Sequence, residues 1–279
     1  MPDILLHLLF PIASSLLYAA LGYHFWQTRW RETDRPLFQL PMRSWERLAI
    51  LIALAFQGIG LYDSLFGSGG MRFSFSLALS LMLWLAVLIY WLESFRSRME
   101  GLQPMVLPIA AICATLPVVF PQVHVIAYAE AWGFKLHFLA AMLAYSLFTL
   151  SALHAVFMGI VEQKLHLGTL NRPLANLPPI LAMEALLFQV IAIAFALLTV
   201  ALGSGILFSE AIFGKALAFD HKTIFAFAAW GIFAALLIGR RIYGWRGRIA
   251  LRWTLAGFLL LFLAYIGSRF VSEVLLGRI

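Results

Sequence analysis

Cysteine is almost missing from this chain of 279 residues: the single one, Cys113, lies inside an apolar run. That rules out an internal disulfide, and no CxxC or Cys/His spacing offers thiol redox chemistry or a structural zinc site. Charge is scarce too. Only 12% of residues are charged, about half of what a water-facing surface needs. Internal repeats, low-complexity tracts and long polar linkers are lacking, so nothing marks a boundary and residues 1–279 read as a single transmembrane domain. Hydrocarbon fills the chain instead, with 63% hydrophobic residues, 15% aromatics and a mean hydropathy of +0.91. This composition describes an integral membrane protein whose surface faces mostly lipid.

A spanning helix needs about 20 mainly apolar residues. Eight such stretches are expected, at about 4–25, 47–65, 75–95, 104–120, 134–161, 180–207, 222–240 and 249–273. The fourth is the weakest because Pro104, Pro108, Pro117 and Pro121 punctuate it. Met1-Pro2-Asp3 lacks the basic start of a secretory signal, so the first stretch is expected to remain as a span. The fold class is therefore an all-α bundle of about eight transmembrane helices.

The net charge of +7 has a sidedness that decides its meaning. Fourteen of the twenty Lys and Arg residues fall in the odd connections, including Arg29, Arg31, Arg43, Arg47, Arg240, Arg241, Arg246 and Arg248. Positive loops stay in the cytoplasm, so both termini are expected on the outer, periplasmic side. The positive charge is then a topology signal and a contact for lipid headgroups, with no nucleic-acid partner. Trp84, Trp91, Trp132, Trp230, Trp245 and Trp253 sit near the expected interfaces, as an aromatic belt would have them.

Depth sorts the seven histidines. His24 and His166 fall near cytoplasmic ends, where a solvated interfacial role suffices. His154 lies 17 residues beyond His137, about 25 Å deeper along one helix, and cannot share a site with it. His7 and His124 lie toward the outer side with no assigned role. His137 and His221 remain, each near the first turn of a span on that side. Two imidazoles at matched depth are a candidate metal pair able to clamp one planar cofactor, since haem iron takes axial histidines. The plainer reading of either ring is a hydrogen bond to a carbonyl or a headgroup.

In "AFDHKTIFAFAAWGIF", Asp220 is a good N-cap for the seventh span and Thr223 can support it. Capping accounts for neither His221 nor Lys222. Two turns beyond His137, Tyr145 and Ser146 share its helix face; they either line a cavity or tie helices together. Glu184, near the cytoplasmic start of the sixth span, suits the positive end of a helix.

Four stretches, "LHFLAAMLAYSLFTLSALHA", "LLFQVIAIAFALLTVALGSGIL", "FDHKTIFAFAAWGIFAALL" and "GWRGRIALRWTLAGFLLLFLAYIGSRF", carry a resemblance. In this order they resemble the cytochrome c assembly protein family, haem-handling membrane proteins of cytochrome c biogenesis, and within it a short eight-span inner-membrane branch. The likeness covers about residues 45–275. It implies a multi-pass protein of the bacterial inner membrane that binds haem at the outer face, working with lipid and other membrane assembly proteins. His137 stands where the family's first outer histidine stands. Asp220 and Lys222 match the Asp and Lys that end the family's tryptophan-rich motif, with His221 in place of its proline. Two departures stand out. "GSGILFSEAIFGKALAFD" has no tryptophan, and "SRFVSEVLLGRI" has no second outer histidine.

The leading expectation is a haem-handling factor with His137 and His221 as axial ligands. Lys222 would meet a propionate, Asp220 would fix the helix start, and Tyr145 would stand beside the cofactor. It is binding and delivery, for no nucleophile–base pair or carboxylate dyad appears at matched depth. The alternative is a non-haem scaffold or regulator with a decayed cofactor site, which the missing tryptophans favour. A solute transporter is the weaker third class, because the midplanes are almost purely apolar.

Overall fold

A computed structural model of the chain describes residues 2–31, 42–67, 70–96, 101–121, 123–126, 129, 131–166, 180–213 and 221–275. Eight long helices run antiparallel in chain order: α1 (Pro2–Phe25), α2 (Ser44–Phe66), α3 (Phe75–Glu93), α4 (Gln103–Val119), α5 (Trp132–His166), α6 (Ile180–Phe213), α7 (His221–Ile242) and α8 (Arg248–Phe262). A π-helical turn, Trp26–Arg31, extends α1. Beyond α8 the rod continues as a π segment, Leu263–Gly267, a short α turn, Ser268–Phe270, and a second π segment, Val271–Leu275.

Seven helical stretches among the described residues are long and apolar enough to cross a membrane, the last being α8 together with the rod beyond it, Arg248–Val274. The exception is α4, at 17 residues, about 25 Å at 1.5 Å per residue. It nevertheless runs from one end of the bundle to the other. Trp30 Nε1 donates to the Gly101 carbonyl at 3.1 Å just before it, and Ser76 Oγ donates to the Phe120 carbonyl at 3.0 Å just after it. The expected fourth span is thus a real helix, shortened by its prolines.

Two short strands, β1 (Arg72–Phe73) and β2 (His124–Val125), pair antiparallel with Phe73 opposite His124. They mark the β end of the bundle, where α3, α5 and α7 begin. The opposite, arginine end holds described arginines of the odd connections, among them Arg29, Arg43, Arg47, Arg240 and Arg248. Helix starts follow local chemistry. Ser74 has extended backbone and its Oγ accepts from Leu77 N–H at 3.3 Å, capping α3. At the start of α2, the Glu46 carboxylate accepts from the Arg43 N–H at 2.7 Å. The same carboxylate is buried against His24 Nε2 at 3.0 Å and Arg29 Nη2 at 3.2 Å. His24, itself partly exposed, is therefore tied to a buried carboxylate.

Lipid tails give no hydrophobic drive for helix association, so close approach and polar ties must do it. A Cβ on Gly22 would sit 2.9 Å from Pro108, and one on Gly257 2.8 Å from Phe233, so α1–α4 and α7–α8 pack at distances only glycine permits. Gln57 Nε2 donates to the Ser80 carbonyl at 3.1 Å in the buried α2–α3 seam. Trp84, Trp91 and Trp230 are ties as well. They donate to the Leu54 carbonyl, the Arg47 carbonyl and Thr199 Oγ1, at 2.8, 2.9 and 2.9 Å. Their polar edges meet neighbouring helices, where a belt of aromatics would turn them to headgroups.

Candidate functional site

Between α3, α4, α7 and the end of the last rod, at the β end, lies a cavity of about 760 Å³. Its walls carry five phenylalanines from four parts of the chain: Phe75, Phe120, Phe225, Phe262 and Phe270. Phe75 is central, meeting the rings of Phe120 and Phe270 edge-on at 5.2 and 5.4 Å. Among the described residues its polar lining is His221 and Ser268. The hydroxyl of Ser268 donates back to the Ala264 and Tyr265 carbonyls at 3.1 and 2.9 Å, leaving the imidazole as the one titratable group among the described residues of the wall. The π segment Leu263–Gly267 widens the rod here and contributes Leu263, Ile266 and Gly267 to the wall; such insertions are frequent at functional sites.

His221 opens α7 and is exposed, with Lys222 half-buried behind it in the same turn. Asp220 lies outside the described residues, as does the side chain of His7.

His137 occupies a different seat. Its Nδ1 is 2.9 Å from the Ala201 carbonyl and 3.3 Å from Ser204 Oγ. A carbonyl only accepts, so Nδ1 carries the proton and the lone pair of the neutral ring sits on Nε2. The ring lies against Gly205, where a Cβ would be 3.1 Å from its Cε1. A ring steadied through Nδ1 by a carbonyl is how protein imidazoles are presented to metals. Among the described residues none of α5 or α6 lines the cavity, and His137 is not part of its wall.

Tyr145 is buried, and its hydroxyl donates to the Leu261 carbonyl at 3.0 Å, just before the rod changes to π spacing. Of the two readings of its position, a tie between helices is the contact observed. His154 also behaves as a tie. It is buried, with Nε2 3.1 Å from the Met183 carbonyl, at the arginine end of the α5–α6 pair that His137 joins near the β end.

Sequence reasoning did not find the aromatic wall, nor a buried node behind it. Glu273, 1% exposed, accepts from the Phe75 N–H at 3.1 Å and from Arg269 Nη1 at 3.3 Å. His124 Nε2 stands 3.3 Å from Oε1, the oxygen that Arg269 also meets, near in distance but outside hydrogen-bond alignment. The carboxylate thus closes the start of α3, the last rod and β2 on one point. A signal existed in "SRFVSEVLLGRI", where Arg269 and Glu273 are one turn apart.

The chain is similar to proteins of several bacteria. It is 27% identical over 239 residues to the inner membrane protein YpjD of Escherichia coli K12, covering 83% of this chain and 89% of that one. To an uncharacterized 28.8 kDa protein of Azospirillum brasilense it is 31% identical over 210 residues, 71% of this chain and 76% of the other. The cytochrome c biogenesis protein CcsA of Prochlorococcus marinus MIT 9215 is 34% identical over 90 residues, 32% of this chain and 29% of its own length. The family model described as cytochrome C assembly protein matches residues 45–276, nearly the whole helical bundle from the start of α2 onward, and the chain belongs to that family.

Proposed function

We propose that this protein handles haem at the outer face of the bacterial inner membrane, as a binding and delivery factor of cytochrome c biogenesis. The membrane reading rests on seven apolar helices and an inner-membrane relative. The carrying observation is the imidazole of His221 on a cavity of about 760 Å³ walled by phenylalanine rings. That volume is in the range of ligand pockets, roughly 300–1,000 Å³.

The residues present suit haem as cargo. Porphyrin faces are apolar and stack on aromatic rings, so the five phenylalanines take over the part that the absent tryptophans would play. Haem iron accepts imidazole, which His221 offers at the cavity and His137 offers through Nε2. Lys222, one residue from His221, is the cation for a propionate. The β end faces outward on this reading, because the arginines gather at the other end.

The test is the optical spectrum of the full chain expressed under haem-replete conditions, beside His221→Ala and His137→Ala. A Soret band that shifts or fades in His221→Ala supports the reading. No band in the wild-type protein sinks it. The second reading, a scaffold for another membrane protein, is favoured by the absence of His137 from the cavity wall. A pigment-free protein that recovers one specific partner on detergent pulldown would establish it instead.

A further inference from the structure

We infer a binding site for one anionic phospholipid on the exposed face of α8 at the arginine end, its headgroup held by Arg241, Arg246 and Arg252 around the α7–α8 turn. The site is separate from the aromatic cavity and does not depend on what fills it. Three observations carry it.

The first is how the arginines of this corner are spent. Arg240 lies 3.6 Å from the Glu184 carboxylate, and Arg248 Nε donates to Glu162 at 2.9 Å. Both acids are thereby taken. Arg241, Arg246 and Arg252 are exposed, and among the described residues none of them makes an ion pair or a side-chain hydrogen bond. The sequence joining α5 to α6, residues 167–179, contains no Asp or Glu to answer them. Guanidinium groups gathered at one turn repel each other, and a phosphate matches their donor fork.

The second is a pair of indoles. Trp245 folds back over Gly239 and meets the Trp253 ring at 5.1 Å. Trp30, Trp84, Trp91 and Trp230 each give the indole N–H to a protein acceptor. Those of Trp245 and Trp253 have no acceptor among the described residues. They stand ready at headgroup level, where indoles meet lipid oxygens.

The third is the face below. Arg248, Arg252, Leu255, Leu259 and Leu263 follow one another at three or four residues and are exposed, while Ala250, Leu251, Thr254, Gly257 and Leu261 are buried. From Arg252 to Leu263 is about 16 Å at 1.5 Å per residue, about half of a hydrocarbon core of roughly 30 Å. Side chains lean toward the N-terminus of their helix, which lifts the Arg252 guanidinium toward the headgroups. A phosphate at the arginines and an acyl chain along the leucines use one continuous face. Charge selects the occupant. A zwitterionic lipid leaves the excess positive charge in place, and a second copy packed here about a two-fold axis would add its own arginines.

The test is native mass spectrometry of the full chain released from nanodiscs of phosphatidylglycerol and phosphatidylcholine in equal amounts. Wild type is compared with Arg246→Gln, Arg252→Gln, the double variant and Arg252→Lys. Arg96→Gln, an exposed arginine elsewhere at the same end, is the control. A basic side chain at a charged membrane surface is worth about fivefold in affinity. Each single Gln variant should therefore lower the bound ratio of phosphatidylglycerol to phosphatidylcholine about fivefold, and the double variant about 25-fold. Arg252→Lys and Arg96→Gln should stay near wild type. Arg246 and Arg252 make no ion pair, so their variants should melt like wild type; if the double variant melts early, Arg252→Gln against Arg252→Lys decides. A wild type without preference for phosphatidylglycerol overturns the site, and so does an equal loss in Arg96→Gln, which would mean diffuse surface charge. A dimer with no lipid preference that the double variant splits gives the face to a second copy and overturns it as well.

Discussion

Phe75 and Glu273 are 198 positions apart and meet through one hydrogen bond, the Phe75 N–H donating to the Glu273 carboxylate at 3.1 Å. The bond satisfies a free donor at the start of α3 and pins the ring at the centre of the aromatic wall. It also joins the last rod to the first half of the bundle. Glu273→Ala leaves Arg269 without its partner and this N–H open, and is expected to cost about 2–3 kcal/mol, the lower side of what breaking a buried charged contact costs. Glu273→Gln keeps an acceptor for the N–H and should cost about half as much. Thermal unfolding in detergent measures both, and equal losses would show that charge, rather than the helix-start bond, governs the node.

His137 and His154 make the same kind of contact to α6, one near each end, so geometry must separate a helix tie from a ligand. His154 is 4% exposed and enclosed, whereas His137 is half-buried with Nε2 left over. Gly205 allows the His137 ring to sit where it does. Gly205→Val places side-chain atoms against Cε1 and forces the ring to turn. If His137 serves haem, the spectrum of this variant shifts while its melting temperature stays within a few degrees of wild type. If His137 is only a tie, the spectrum is unchanged and any effect is on stability.

The helices were legible because apolar length is a local property, and the sidedness of the arginines because it is a count along the chain. His221 stood out because no local rule needs an imidazole after the cap. The aromatic wall was hidden for the opposite reason. A phenylalanine in an apolar helix looks the same whether it faces lipid or a cavity, and Phe75, Phe225 and Phe270 converge only through helix packing. The last stretch, "SRFVSEVLLGRI", was read for the histidine it lacks, which drew attention away from Glu273. Tyr145 shows the limit of helical spacing. Sharing a face with His137 places it correctly in depth, yet its hydroxyl contacts the Leu261 carbonyl on α8, a partner that spacing along α5 cannot reveal.

Orientation is open to direct measurement. With Cys113, which is buried, replaced by serine, single cysteines at Gly70 and at Arg246 report on the two ends. A membrane-impermeant maleimide should label Gly70→Cys in spheroplasts and Arg246→Cys only after the membrane is opened. The reverse pattern would turn the protein over, put the His221 cavity in the cytoplasm, and remove the case for outer-face haem handling.

The arginine end has its own lock, and its parts should fail together. The Glu184 carboxylate accepts the N–H of Gly247, the residue that opens α8, and lies 3.6 Å from Arg240. Arg240 in turn donates to the Trp245 carbonyl at 3.2 Å and sits over the Phe188 ring. The turn from α7 to α8 depends on Gly244 and Gly247 at φ of 66° and 54°, backbone that glycine adopts freely and a side chain disfavours. Glu184→Ala removes the acceptor, and Gly247→Ala strains the backbone that presents the donor, so each should lower stability by about 1–3 kcal/mol. Because both act on one contact, the double variant should lose clearly less than the sum of the two, a coupling of at least about 0.5 kcal/mol. Additive losses in thermal unfolding would mean that Glu184 and the turn act independently, and that the short bond between them contributes little to holding α8 against α6.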